Sequence, residues 1–289
     1  MASAKLIDVP PLAPVPALAA RLSAPAGPAR PLLIRHADTS VLALPGRYCV
    51  VYIIVVDGKA AVIDVGSAED MASVTRGLDY LGVARSDVPF VIATHLHFDH
   101  VMGLDTAAQA LGATLALGSA SRQAVEAGTP IHWPRRMGTL RAIPGWVMQG
   151  APAISRTDRA RGLGFGFPWS GNRFTSKLGP VLEHQRPLPG FDGWTSLATP
   201  GHSSDSICLH HAGAGILVAG DSVRNFRGGE WNGLLDDAER YEATKKLLRA
   251  LHVSVACPGH GPVLAGDNIL SRMATVGFWG RRTLTGPTA

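Results

Sequence analysis

Cysteine is scarce in this chain: Cys49, Cys208 and Cys257 are the only three among 289 residues. They are too few and too far apart for a disulfide scaffold or a thiolate zinc site. No pair has C-x-x-C spacing, so reduced, buried thiols are expected. Charged residues make up only 17% and aromatics 6%, against 46% hydrophobic, which excludes a disordered chain, a collagen-like repeat or a coiled coil. No run approaches the ~18–20 apolar residues of a membrane span, so no membrane association is expected. Met1 to Leu32 carries Lys5, but Asp8 and several prolines break any apolar stretch, which makes a poor signal peptide. A cytoplasmic location is expected, with a periplasmic one left open.

What the chain does have is glycine (33), proline (21) and a mildly basic net charge of +5. The charge is uneven. From Ser119 to Gly190 ten basic side chains face three acidic ones, while the remainder is slightly acidic. A basic segment in a near-neutral protein suits an anionic ligand or a solvated arginine-rich loop. β-Branched runs flank Asp57-Gly58, which predicts a hairpin. Helical spacing runs from about Ala68 to Leu81, from Gly103 to Leu111 and from Asp236 to Leu251. Short strands are expected at Val88–Ala93, Ala113–Leu117, Trp194–Ala198, Ser206–His211, Gly215–Ala219 and Val253–Ala256. Residues 1–44 read as an N-terminal arm and 45–289 as one catalytic domain. An irregular insertion at about 128–190 is of a length that usually carries function.

Histidine carries the chemistry. Of eleven histidines, three fall in Thr94-His95-Leu96-His97-Phe98-Asp99-His100, directly after an apolar strand. Burying imidazoles and a carboxylate together is costly unless something pairs them, and a metal ion does so. His202, Asp221 and His260 have the same setting, just past apolar strands and beside glycines. Five His and two Asp without thiolate favour zinc, with manganese or iron as alternatives.

The ordered set His95-x-His97-x-Asp99-His100, His202, Asp221, His260 resembles the metallo-β-lactamase superfamily, closely its dinuclear hydrolase branch. Ile63-Asp64-Val65-Gly66 matches that family's early Asp-x-Gly. The resemblance runs from about Tyr48 to Pro262, with the irregular middle unmatched. It implies a four-layer αββα sandwich with two metals, zinc by default, at one edge of the sheets. Carried over, His95, His97 and His202 hold the first metal, and Asp99, His100 and His260 the second. Asp221 bridges them, and Asp64 orients ligands from behind. Asp99 and Asp221 are then the catalytic carboxylates, around a hydroxide held between two ions.

Within the family, Asp221 stands where some β-lactamases place a thiolate, and His97 where diiron oxygen reductases place Glu. Only 29 residues follow His260, too few for the helical glutathione-binding domain of glyoxalase II. Arg224 replaces the Tyr that small lactonases carry three positions after the bridging Asp. The further segments of transfer-RNA nucleases are absent, so no nucleic-acid partner is expected. The expected reaction is hydrolysis of an ester-like bond (lactone, thioester or carboxylic ester) in a partly apolar small molecule, an anionic one included. The alternatives are phosphotriester or xenobiotic hydrolysis, and a mononuclear-iron persulfide dioxygenase. His132, Trp133, Trp146, Trp169, Arg224 and Trp231 are candidate pocket residues. The insertion reads either as a lid over the metals or as a homodimer contact.

Overall fold

The computed structural model describes residues 4–9, 30–129, 158, 174–226 and 228–275, and the backbone of 276 and 282–283. Among the described residues the first sheet has eight strands, side by side in chain order. They are β1 (Lys5–Asp8), β2 (Leu32–Arg35), β3 (Ser40–Pro45), β4 (Val50–Val56), β5 (Lys59–Ile63), β6 (Phe90–Ala93), β7 (Thr114–Gly118) and β8 (Leu178–Leu182). Pairing is antiparallel as far as β5 and parallel from β5 to β8. The expected hairpin joins β4 to β5 through Asp57 and Gly58. Their φ values of 48° and 77° suit a two-residue turn whose twist matches the strands.

Parallel strands need crossovers, and helices supply them. α1 (Met71–Leu81) links β5 to β6; α2 (Phe98–Val101) and α3 (Leu104–Leu111) link β6 to β7. α4 (Ser119–Glu126) follows β7. The second sheet contains β9 (Arg186–Pro187), β10 (Trp194–Ala198), β11 (Ile207–His211), β12 (Ile216–Arg224) and β13 (Glu230–Trp231). After α5 (Ala238–Arg249) come β14 (Val255–His260), β15 (Leu264–Ala265), β16 (Ala274–Val276) and β17 (Arg282–Thr283). β14 runs parallel to β12, which brings the ends carrying Asp221 and His260 together.

Three apolar clusters separate four layers. Val51 and Ile53 of β4 face α1 and α3 through Val74, Leu78, Leu104 and Leu111. Their neighbours Tyr52 and Ile54 face the second sheet through Leu209, Ile216 and Val218. The two-residue period thus feeds both faces of one strand. On the outer side of the second sheet, Cys208, Leu217 and Trp231 pack against Tyr241 and Leu248 of α5. The result is the expected αββα sandwich.

Two expectations change. Residues 5–8, 32–35 and 40–44, read as part of an arm, are strands of the first sheet. The proline- and alanine-rich stretch between β1 and β2 hides these short runs from a composition-based reading. The end of the irregular stretch also holds regular structure, β8 and β9. No helix among the described residues is long and apolar enough to cross a membrane.

Candidate metal centre

Seven predicted residues converge where the strands of both sheets end. β6 delivers His95 and His97 on the loop after Ala93, and α2 carries Asp99 and His100. His202 follows β10, Asp221 lies within β12 and His260 ends β14. They form three overlapping groups: His95, His97 and His202; His95, His100 and Asp221; and Asp99, His100 and His260. In each, the donor atoms lie within 4.8 Å of one another.

Asp221 lies among these groups, within reach of histidines from each of them. His97 Nδ1 and His202 Nε2 face each other at 3.1 Å. Asp221 places Oδ2 3.3 Å from His202 Nε2, and Oδ1 3.3 Å from His100 Nε2 and 3.4 Å from His260 Nε2. Asp99 Oδ2 is 3.4 Å from His260 Nε2. The side chains of Asp99 and His260 are 16% and 21% exposed, whereas His100 is fully buried, so the centre opens on the Asp99–His260 side.

The imidazoles are oriented from behind. Asp64 Oδ2 accepts from His100 Nδ1 at 2.9 Å and from the Thr94 hydroxyl at 2.6 Å, while Oδ1 accepts the Thr94 N–H at 2.7 Å. The Thr94 oxygen lies 3.1 Å from His95 Nδ1. His202 Nδ1 donates to the Leu234 carbonyl at 2.7 Å, and Asn232 Nδ2 donates to the Asp221 carbonyl at 2.9 Å. These bonds turn Nε2 of His95, His100 and His202 inward. Asp64 adopts φ 55°, a conformation that Asp tolerates better than most residues.

Burial lowers His95 well below the usual imidazole range, and burial with the neighbouring His202 lowers His97 to about 3. Neutral imidazoles are the form that binds metal. On the other side burial opposes charge, but Asp221 and Asp64 raise His100, and Asp221 and Asp99 raise His260 to about 9. His100 and His260 likewise outweigh burial at Asp99 and lower it to about 2. Nε2 of His95, Nε2 of His100 and Oδ1 of Asp221 are buried without a hydrogen-bond partner among the described residues. Such orphans are costly in a native fold unless an ion satisfies them, so the donor set fits a metal.

A family model of the metallo-beta-lactamase superfamily matches residues 44–260. The chain belongs to the metallo-beta-lactamase superfamily. Members of that superfamily are generally metal-dependent hydrolases. A metallo-beta-lactamase domain-containing protein 1 of Xenopus laevis is 38% identical over 79 residues. That match spans 26% of this chain and 34% of the relative, about a third of its length. Among solved structures, a metallo-beta-lactamase family protein of Thermus thermophilus aligns at a TM-score of 0.54 and 20% identity, over 81% of this chain and 76% of that one. The B3 metallo-beta-lactamase BLEG-1 aligns at 0.53 and 17%, over 78% and 93%. A metallo-beta-lactamase of Cronobacter sakazakii with a HARLDQ motif aligns at 0.51 and 15%, over 76% and 74%. At these identities the likeness shows the metallo-beta-lactamase fold.

The expected pocket fares differently. His132, Trp133, Trp146 and Trp169 lie outside the described residues. Trp231 is 0% exposed, packed between the second sheet and α5 with its ring 6.4 Å from Tyr241, so among the described residues it belongs to the core. Arg224 is held by the buried Glu230 at 3.3 Å, and its guanidinium covers the Phe226 ring at 5.5 Å. It is therefore tied to Glu230 and Phe226 before any substrate arrives. Phe226, unnoticed in the sequence, stacks on His260 with ring centroids 6.3 Å apart. Thr94, Asn232 and Asp205 were not singled out from the sequence either. Of these only Asp205 carries a local signal, an acidic side chain three residues past His202.

Proposed function

We propose that this metallo-beta-lactamase superfamily member is a dinuclear metal-dependent hydrolase acting on an ester-like bond: a lactone, thioester or carboxylic ester. The observation that carries this reading is the position of Asp221, its two oxygens facing one donor group each while both groups stay complete without it. His95, His97 and His202 would hold one ion, Asp99, His100 and His260 the other, with Asp221 shared. Zinc suits this nitrogen and oxygen set, with manganese or iron as alternatives. Two such ions would supply a water nucleophile at neutral pH and polarise the carbonyl under attack.

The chain's own residues do the rest. Asp64, Thr94 and the Leu234 carbonyl fix the inward tautomers of His100, His95 and His202. Asp99, on the open side, is the carboxylate placed to take a proton from the attacking water and return it to the leaving group. The Tyr52 hydroxyl donates to the Pro258 carbonyl at 2.7 Å and so fixes the strand end from which His260 projects. No serine or cysteine nucleophile is required, and Cys208 and Cys257 are buried with thiols pushed up to about 11 and beyond the usual range.

The test is a panel of lactone, thioester, aryl ester and phosphotriester substrates on metal-loaded protein, with Asp221→Ala as control. Hydrolysis of an ester-like member by wild type and not by the variant is expected. Turnover of the phosphotriester alone would move the substrate class. Oxygen uptake on a persulfide with no hydrolysis would replace the reaction.

A further inference from the structure

The three imidazoles His95, His97 and His202 come from different sheets. Two follow β6 of the first sheet and one follows β10 of the second, so only noncovalent contacts set the gap between them. Two such contacts join the loops directly. The Ile207 N–H donates to the Thr94 carbonyl at 2.8 Å. The Leu96 N–H, between His95 and His97, donates to Asp205 Oδ2 at 3.0 Å. The same oxygen accepts the Ser121 hydroxyl of α4 at 2.8 Å. Asp205 is buried, and it lies three residues past His202.

We propose that Asp205 is a positioning residue that fixes the spacing of the His95, His97 and His202 group, and through it the affinity of that group for its metal. This rests on reading the three histidines as a metal site. A buried backbone N–H requires an acceptor. Without Asp205, Leu96 has to turn to regain one, and the histidines on either side turn with it. Asp205 Oδ1 is buried and has no hydrogen-bond partner among the described residues. One acceptor oxygen in one place therefore does the work, and the charge is dispensable. Asparagine should serve as well as aspartate. Glutamate, which keeps the charge and moves the oxygen by one methylene, should not.

The experiment is zinc competition against a chromophoric chelator, with circular dichroism as the folding control, on the wild-type chain and the D205A, D205N and D205E variants. D205A and D205E should bind one of the two zinc equivalents about 10–100-fold more weakly, the usual effect of losing an orienting partner. D205N should match wild type, and the second equivalent should be unchanged in all of them. D205A retaining both at wild-type affinity would overturn the proposal, as would D205N losing as much as D205E. Should D205A not fold, the contrast between D205N and D205E decides. His97→Ala with a full wild-type complement of zinc would instead overturn the reading of the histidines as a metal site, and the proposal with it.

Discussion

Asp64 serves two imidazoles with one carboxylate, His100 directly and His95 through the Thr94 hydroxyl. Its left-handed backbone is one that asparagine also adopts readily, so Asp64→Asn changes the hydrogen bonding with little strain. That variant should fold and bind metal about 10–100-fold more weakly, measured by chelator competition. Unchanged affinity would show that His95 and His100 need no such support. The ligand set was legible in the sequence because chemistry clusters locally: four of the seven residues fall between His95 and His100, and the rest come shortly after apolar runs and next to glycine. The orienting residues were not legible. Thr94, Asn232 and Asp205 are ordinary polar residues whose partners are 30, 11 and 109 positions away. Trp231 misled because an aromatic ten positions past Asp221 packs in the core under α5 instead of beside the ligands.

Strand β14 passes so close to the centre that Gly259 has no room for a side chain. A methyl group there would run into Asp221 Oδ1 and come within 2.9 Å of His100 Cε1. Gly259→Ala should therefore lower bound metal below the wild-type level by elemental analysis; full loading would show that the strand end gives way easily. At the start of α1, burial pushes Asp70 up to about 7, although the N–H groups of Arg47 and Ser67 donate to its oxygens at 2.8 and 3.0 Å. The native state then binds a proton that the unfolded chain, with a carboxyl near 3.8, has already lost. Stability from this group is complete below 3.8 and falls as pH rises to about 7. Asp70→Asn cannot titrate. The melting temperature of metal-free wild type should decline relative to Asp70→Asn across that range, and parallel curves would contradict the shift. Helix and strand positions were largely legible from periodicity; β1 to β3 were not, since strands this short draw their identity from the neighbours they pair with.

Across the whole molecule the site depends on two sheets held face to face. Ile54 is fully buried between them, so Ile54→Ala should cost about 2–5 kcal/mol, read as a lower urea midpoint with an unchanged slope. A smaller loss would mean that the intersheet layer repacks. The four-layer order followed from the ligand motif, because motif and fold go together in this superfamily; the sheet edges did not follow from it. The central claim is that seven side chains from both sheets make one two-metal centre. Elemental analysis of protein purified without added metal tests it most directly. Close to two zinc (or manganese) ions per chain, falling in Asp221→Ala, is the predicted result. One ion per chain, or two that persist when Asp221 is removed, would contradict the shared-carboxylate centre.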